Sequence, residues 1–198
     1  MRRERSLAAE ADWIVPGGVL LALVAVLVQV TAQLVDFGFY DLRIAALNSN
    51  HHASVFGIAS LAAQAAAAVA AAFRGSTGSQ RTTWTLSAGL IAVLLGLRMS
   101  LSYSTSLLLP FVVALFVLLW RLTADESEQA RRIVRIGLYL LVFSFVVHAV
   151  GPTIVSALGY AGNSWPYEAK GILKHSAELG GWMLVATGVA EAARSVRQ

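Results

Sequence analysis

Arg98, His148, Lys174, His175 and Glu178 are the side chains of this sequence best suited to chemistry, because each falls inside a long apolar run where an ionisable group is costly to keep. Lys170, Lys174 and Glu178 recur at i, i+4 and i+8, and His175 precedes Glu178 by three residues, so a helix there presents them on one broad face. Together the five groups could bind or relay a small polar or anionic species, with Gln64 and Gln29 as neutral hydrogen-bonding partners. A second chemistry uses His148 and His175 with Glu178 to hold zinc or iron, or the two imidazoles alone to hold haem. In a third, Glu178 pairs with Lys174 or Arg98, the histidines bond to neighbouring backbone, and the polar groups only lock helices together in an assembly subunit.

The elements that must position these groups follow from composition. Of 198 residues, 57% are hydrophobic and 13% charged, with no cysteine and a mean hydropathy of +0.67. A soluble domain of this size carries about 25% charged residues to solvate its surface. The composition therefore excludes a disordered chain, a disulfide scaffold and most soluble enzyme folds. An all-α polytopic membrane protein remains.

A bilayer core of about 30 Å needs roughly 20 apolar residues per helical span. Six runs qualify, at about 13–35, 53–73, 84–102, 103–120, 133–158 and 167–190, and they make a single transmembrane bundle of six helices. Spans three and four are separated by too short a turn for a linker and form a helical hairpin. The first run follows Arg2, Arg3 and Arg5 but is too long for a signal-peptide core, so it reads as a retained anchor.

Lysine and arginine positions set the orientation. With the N-terminus inside, Arg2, Arg3, Arg5, Arg74, Arg81, Arg121, Arg131, Arg132, Arg135, Arg194 and Arg197 all fall on the cytoplasmic side, eleven of the fifteen basic residues. Both termini are then cytoplasmic and the host is a bacterial-type plasma membrane. Trp13, Trp84 and Trp120 are expected as an inner aromatic belt, and Tyr40, Tyr103, Tyr160, Trp165 and Tyr167 as an outer one. The pI of about 9.9 is explained by arginines lying against anionic inner-leaflet lipid, and no basic stripe with interleaved aromatics points to nucleic acid. Asp125–Arg132 reads as a solvated cytoplasmic turn.

Depth then unites the ionisable groups. Arg98 lies fourteen residues beyond Trp84 and His148 fifteen beyond Ile133, about 21–22 Å from the inner interface at 1.5 Å per residue. His175 and Glu178 come seven and ten residues after Glu168, about 10–15 Å beneath the outer interface. Three helices thus bring charge to one level, with Gln64 near the midplane and Gln29 a little above it. The arrangement predicts an outward-facing polar pocket. Pro152, four residues after His148, predicts a kink beside it, and Gly171, Gly180, Gly181 and Gly188 predict close helix approach. His51 and His52 precede span two in a polar loop, where solvation suffices to explain them.

No Gly-x-Ser-x-Gly, His-Glu-x-x-His or phosphate-cradling Gly-Lys-Ser/Thr motif occurs. The stretches Glu168-Ala169-Lys170, Glu178-Leu179-Gly180-Gly181-Trp182 and His52-Ala53-Ser54-Val55-Phe56-Gly57 resemble a loose group of uncharacterised multi-pass bacterial membrane proteins. That group tends to carry an acidic and histidine-containing motif at the outer end of its third span. The matching Arg98–Ser104 has neither carboxylate nor imidazole, and the resemblance implies no particular activity. The expectation is a non-enzymatic membrane protein without a required cofactor, acting in small-solute or ion transport or as a ligand-binding accessory subunit. Its partners are the lipid bilayer, a small polar or anionic ligand, and a homo-oligomer or a larger membrane complex.

Overall fold

The computed structural model describes residues 13–41, 44–48, 54–76, 80–99, 105–160 and 164–195. Arg2, Arg3, Arg5, Arg43, His51, His52, Tyr103 and Arg197 lie outside them. Six α-helices occur among the described residues: α1 (Ile14–Tyr40), α2 (Val55–Ser76), α3 (Arg81–Met99), α4 (Thr105–Leu122), α5 (Glu128–Ala157) and α6 (Trp165–Ser195). Five of them, α1 to α5, are long and apolar enough to cross a membrane. Helix α6 is too polar to meet that measure, with Glu168, Lys170, Lys174, Glu178, Glu191 and Arg194 along its length, and it packs against α1, α2 and α5.

The helices outrun the apolar stretches that define them. Helix α5 starts at Glu128, five residues before the apolar run, because the Ser127 hydroxyl caps it by accepting the Ala130 N–H at 3.2 Å. Helix α1 runs to Tyr40 and ends where Asp41 turns left-handed (φ 49°), its N–H returning to the Asp36 carbonyl. Helix α5 continues through Pro152 to Ala157 as one element, and the Lys170 stem packs on Gly151.

Burial is inverted relative to a soluble bundle. On α2 the covered face is Phe56, Ser60, Gln64, Ala67, Ala71 and Arg74, at helical spacing, while Val55, Ile58 and Val69 are exposed. On α1 the covered stripe is Val15, Ala22, Gln29, Gln33 and Asp36, and Leu20, Leu21, Leu23 and Leu27 point outward. Polar groups face the partner helices because hydrocarbon cannot satisfy them, whereas leucine costs nothing there.

With leucine indifferent between lipid and protein, close backbone approach must hold the helices together. Gly137 of α5 meets Gly181 and Val185 of α6: a Cβ placed on Gly137 would lie 2.8 Å from the Gly181 carbonyl oxygen. Gly188 lies as tightly against Ala130 and Val134, and Gly18 of α1 packs on the Thr187 side chain. Helix α4 is the least integrated. It packs along α3, and its ring contacts to α5, Phe116 and Trp120 on Tyr139, are confined to its C-terminal half.

Two features correct the sequence reading. Trp84 is not a belt residue facing lipid; it is fully buried in the core with Ala71, Leu119 and Val189. Nor is the 125–132 segment wholly solvated, since Arg74 donates from Nε (3.0 Å) and a terminal nitrogen (2.6 Å) to one Glu126 oxygen, both side chains 7% exposed. The Arg74 guanidinium also lies 5.6 Å from the Trp84 ring centre. A planar fork makes both contacts at once, and an ammonium cannot. Arg74→Lys is therefore expected to cost about 1–3 kcal/mol, read as a lower unfolding midpoint in mild detergent; an unchanged midpoint would mean the pair carries no weight.

Candidate functional site

The polar groups are held by five helices, α1, α2, α3, α5 and α6. Arg98 sits in the last turn of α3, where one terminal nitrogen donates to Ser60 Oγ at 3.0 Å and Gln64 Oε1 at 3.4 Å on α2. The same nitrogen lies 3.1 Å from Glu178 Oε1 on α6. Arg98 thus ties α2 to α6 across the end of α3. Gln64 completes the frame by donating Nε2 to the Ile91 carbonyl at 3.3 Å, which fixes the way its amide points. The other Glu178 oxygen is 3.6 Å from His175 Nδ1, one turn earlier on α6.

These groups form one wall of a cavity of about 410 Å³, within the range that holds small ligands. Gln29, Gln64, Arg98, His148, Lys174, His175 and Glu178 all line it, so the structure brings to one space the six residues singled out by depth and Lys174, singled out by its helical spacing. Lys170 is not with them, because its ammonium sits 3.8 Å from the Tyr167 ring centre and its stem lies on Gly151. Leu94, Leu115, Phe116, Leu138, Leu141 and Trp182 supply an apolar wall toward the other end.

Hydrogen bonding is incomplete on the polar wall. Gln29 is 1% exposed, and neither its amide nitrogen nor its oxygen has a partner. Lys174 makes no ion pair with any described residue. An unsatisfied buried amide costs about 1–3 kcal/mol, which a ligand could recover. Arg98 and Lys174 oppose the single carboxylate of Glu178, leaving the wall one positive charge in excess when both imidazoles are neutral.

Ser60 and Ser144 belong to this wall and were missed from sequence. A signal existed for Ser60, which stands four residues before Gln64 on the same helical face. A second polar cluster was also missed. At the far end of α1, Gln33 donates to Glu168 Oε2 at 3.1 Å and Asp36 Oδ1 accepts the Ile44 N–H at 3.0 Å, all three side chains lying in residues at most 2% exposed. Asp36 and Glu168 thus lie inside the bundle, although their places at the ends of apolar runs suggested solvated flanks. For the metal chemistry, no group of three His, Asp or Glu side chains close enough to share an ion occurs among the described residues.

No family model, curated protein or solved structure matches this chain.

Proposed function

We propose that this chain is a six-span integral membrane protein of the plasma membrane, both termini cytoplasmic, whose outward-facing pocket binds a small polar or anionic ligand for transport or as an accessory subunit. The observation that carries the reading is the convergence, on one cavity that Arg98 frames and Glu178 only partly neutralises, of an ammonium and a buried amide without partners among the described residues. Anion preference follows from that charge balance. The span count rests on α6 crossing within the shelter of α1, α2 and α5, and the orientation rests on the arginine-rich inner segments. Lysine rather than arginine at position 174 suits a site that must release its ligand, because a compact ammonium grips an anion at one point instead of through a bidentate fork.

The test is ligand-dependent stabilisation of the purified protein in phosphatidylcholine nanodiscs, since a ligand that binds only the folded state raises the unfolding midpoint. Acetate, inorganic phosphate and laurate are titrated against wild type, Lys174→Gln and His148→Ala. At least one anion is expected to stabilise wild type, with about tenfold weaker binding in Lys174→Gln, a loss of ~1.4 kcal/mol. Absence of any shift in wild type, or equal shifts in Lys174→Gln, overturns the reading.

A further inference from the structure

The cavity is amphipathic along its length. Its polar wall gathers at the level of His148 and its apolar wall reaches Leu138, ten residues nearer the start of α5, a separation of about 15 Å. That is half the thickness of a bilayer's hydrocarbon core, about the reach of one leaflet's acyl tails. One extended alkyl chain of medium length spans that distance.

The cavity is open at the surface of the bundle. Val142 lines the cavity yet is 38% exposed, and Met99, also a lining residue, is 66% exposed. Val142 lies on α5 just where α4 ceases to be held by the Phe116, Trp120 and Tyr139 rings. A hydrophilic solute gains nothing from the Leu115, Leu138 and Trp182 wall, whereas an alkyl chain fills it.

We infer that the occupant is a single-chain amphiphile with an anionic head, a medium-chain carboxylate in the simplest case, with its head at Lys174 and Arg98 and its tail against Leu138 and Leu115. The inference rests on the cavity being a ligand site, and narrows that ligand's class. Arg98 is already engaged by Glu178, Ser60 and Gln64, so Lys174 supplies the free charge and Gln29 the free amide. Lateral access between α4 and α5 lets the ligand arrive from the bilayer without crossing water.

The experiment measures retention of radiolabelled laurate by the protein in phosphatidylcholine nanodiscs, with empty discs subtracted, against acetate, inorganic phosphate and dodecyltrimethylammonium as competitors. Saturable one-to-one laurate binding is expected. Acetate should compete at least ~100-fold more weakly, since each buried methylene adds several-fold to affinity, and the alkyl cation should not compete. Val142→Trp, at a residue exposed enough to tolerate the ring, should abolish laurate binding, whereas Val146→Trp, 50% exposed and outside the lining, should leave it intact. If acetate or phosphate displaces laurate at equal concentration, or Val142→Trp binds laurate normally, the amphiphile inference falls while the anion pocket survives. If neither laurate nor the small anions bind above empty discs, both fall together.

Discussion

Gly137→Val yields a protein that does not assemble its bundle. The α5 and α6 backbones touch at this position, where a Cβ would lie 2.8 Å from the Gly181 oxygen and 2.9 Å from the Val185 nitrogen. Both obstructing atoms are backbone, so no rotamer change relieves the clash and the helices must separate. Separation also opens the Gly188 contact with Ala130 and Val134 two turns along α6. Overpacking a core costs about 1–3 kcal/mol where side chains can adjust; with rigid backbone on the other side the loss is expected at ~3 kcal/mol or more. Size-exclusion chromatography in mild detergent should show an aggregated or broadened species. Gly89→Ala is the control: nothing lies within 4 Å of the new methyl group, and its unfolding midpoint should match wild type or rise slightly. A Gly137→Val protein that elutes and unfolds like wild type would disprove direct backbone packing of α5 on α6.

The second large effect lies at the Arg98–Glu178 pair, whose charged atoms are 3.1 Å apart with side chains about one-fifth exposed, into the cavity. Removing either partner leaves a charge facing a poorly solvated space. Arg98→Leu and Glu178→Leu are each expected to lose ~2–4 kcal/mol of stability. The double variant should lose less than the sum, because neither charge is stranded, and the cycle should return a coupling of ~1–3 kcal/mol. Arg98→Leu should be the more damaging single change, since it also strips the donor from Ser60 and Gln64. Strictly additive losses in the three unfolding midpoints would show that the pair is incidental.

Much of this site was legible because a helix converts residue number into depth. Arg98, His148, His175 and Glu178 share a level from rise per residue alone, and the cost of charge in hydrocarbon directs them inward. Which groups touch depends on helix rotation and neighbour order, and hydropathy carries neither. Lys170 illustrates the limit: it shares the periodicity of Lys174 and Glu178, but one more turn toward the helix end lets it lie on Tyr167. Trp84 illustrates another, since an aromatic near a span end has the same composition whether it faces headgroups or a core. The Arg74–Glu126 pair spans 52 residues and closes only when α2 and the turn after α4 meet, so no local pattern foretells it. Helix α6 reads as a span by position, yet its composition falls short because its surroundings are protein rather than lipid.

The loose seating of α4 gives the cavity one stiff side and one compliant side. The stiff side is a lattice in which Gln64 is anchored at both ends of its amide and Arg98 at three acceptors on two helices. The other side is α4, which packs along α3 and meets α5 mainly through Phe116 and Trp120 on Tyr139. Discrimination between head chemistries should accordingly be sharp and discrimination between chain lengths shallow, because a misplaced charge meets a fixed frame whereas an extra methylene meets only aliphatic side chains where α4 touches α5 least.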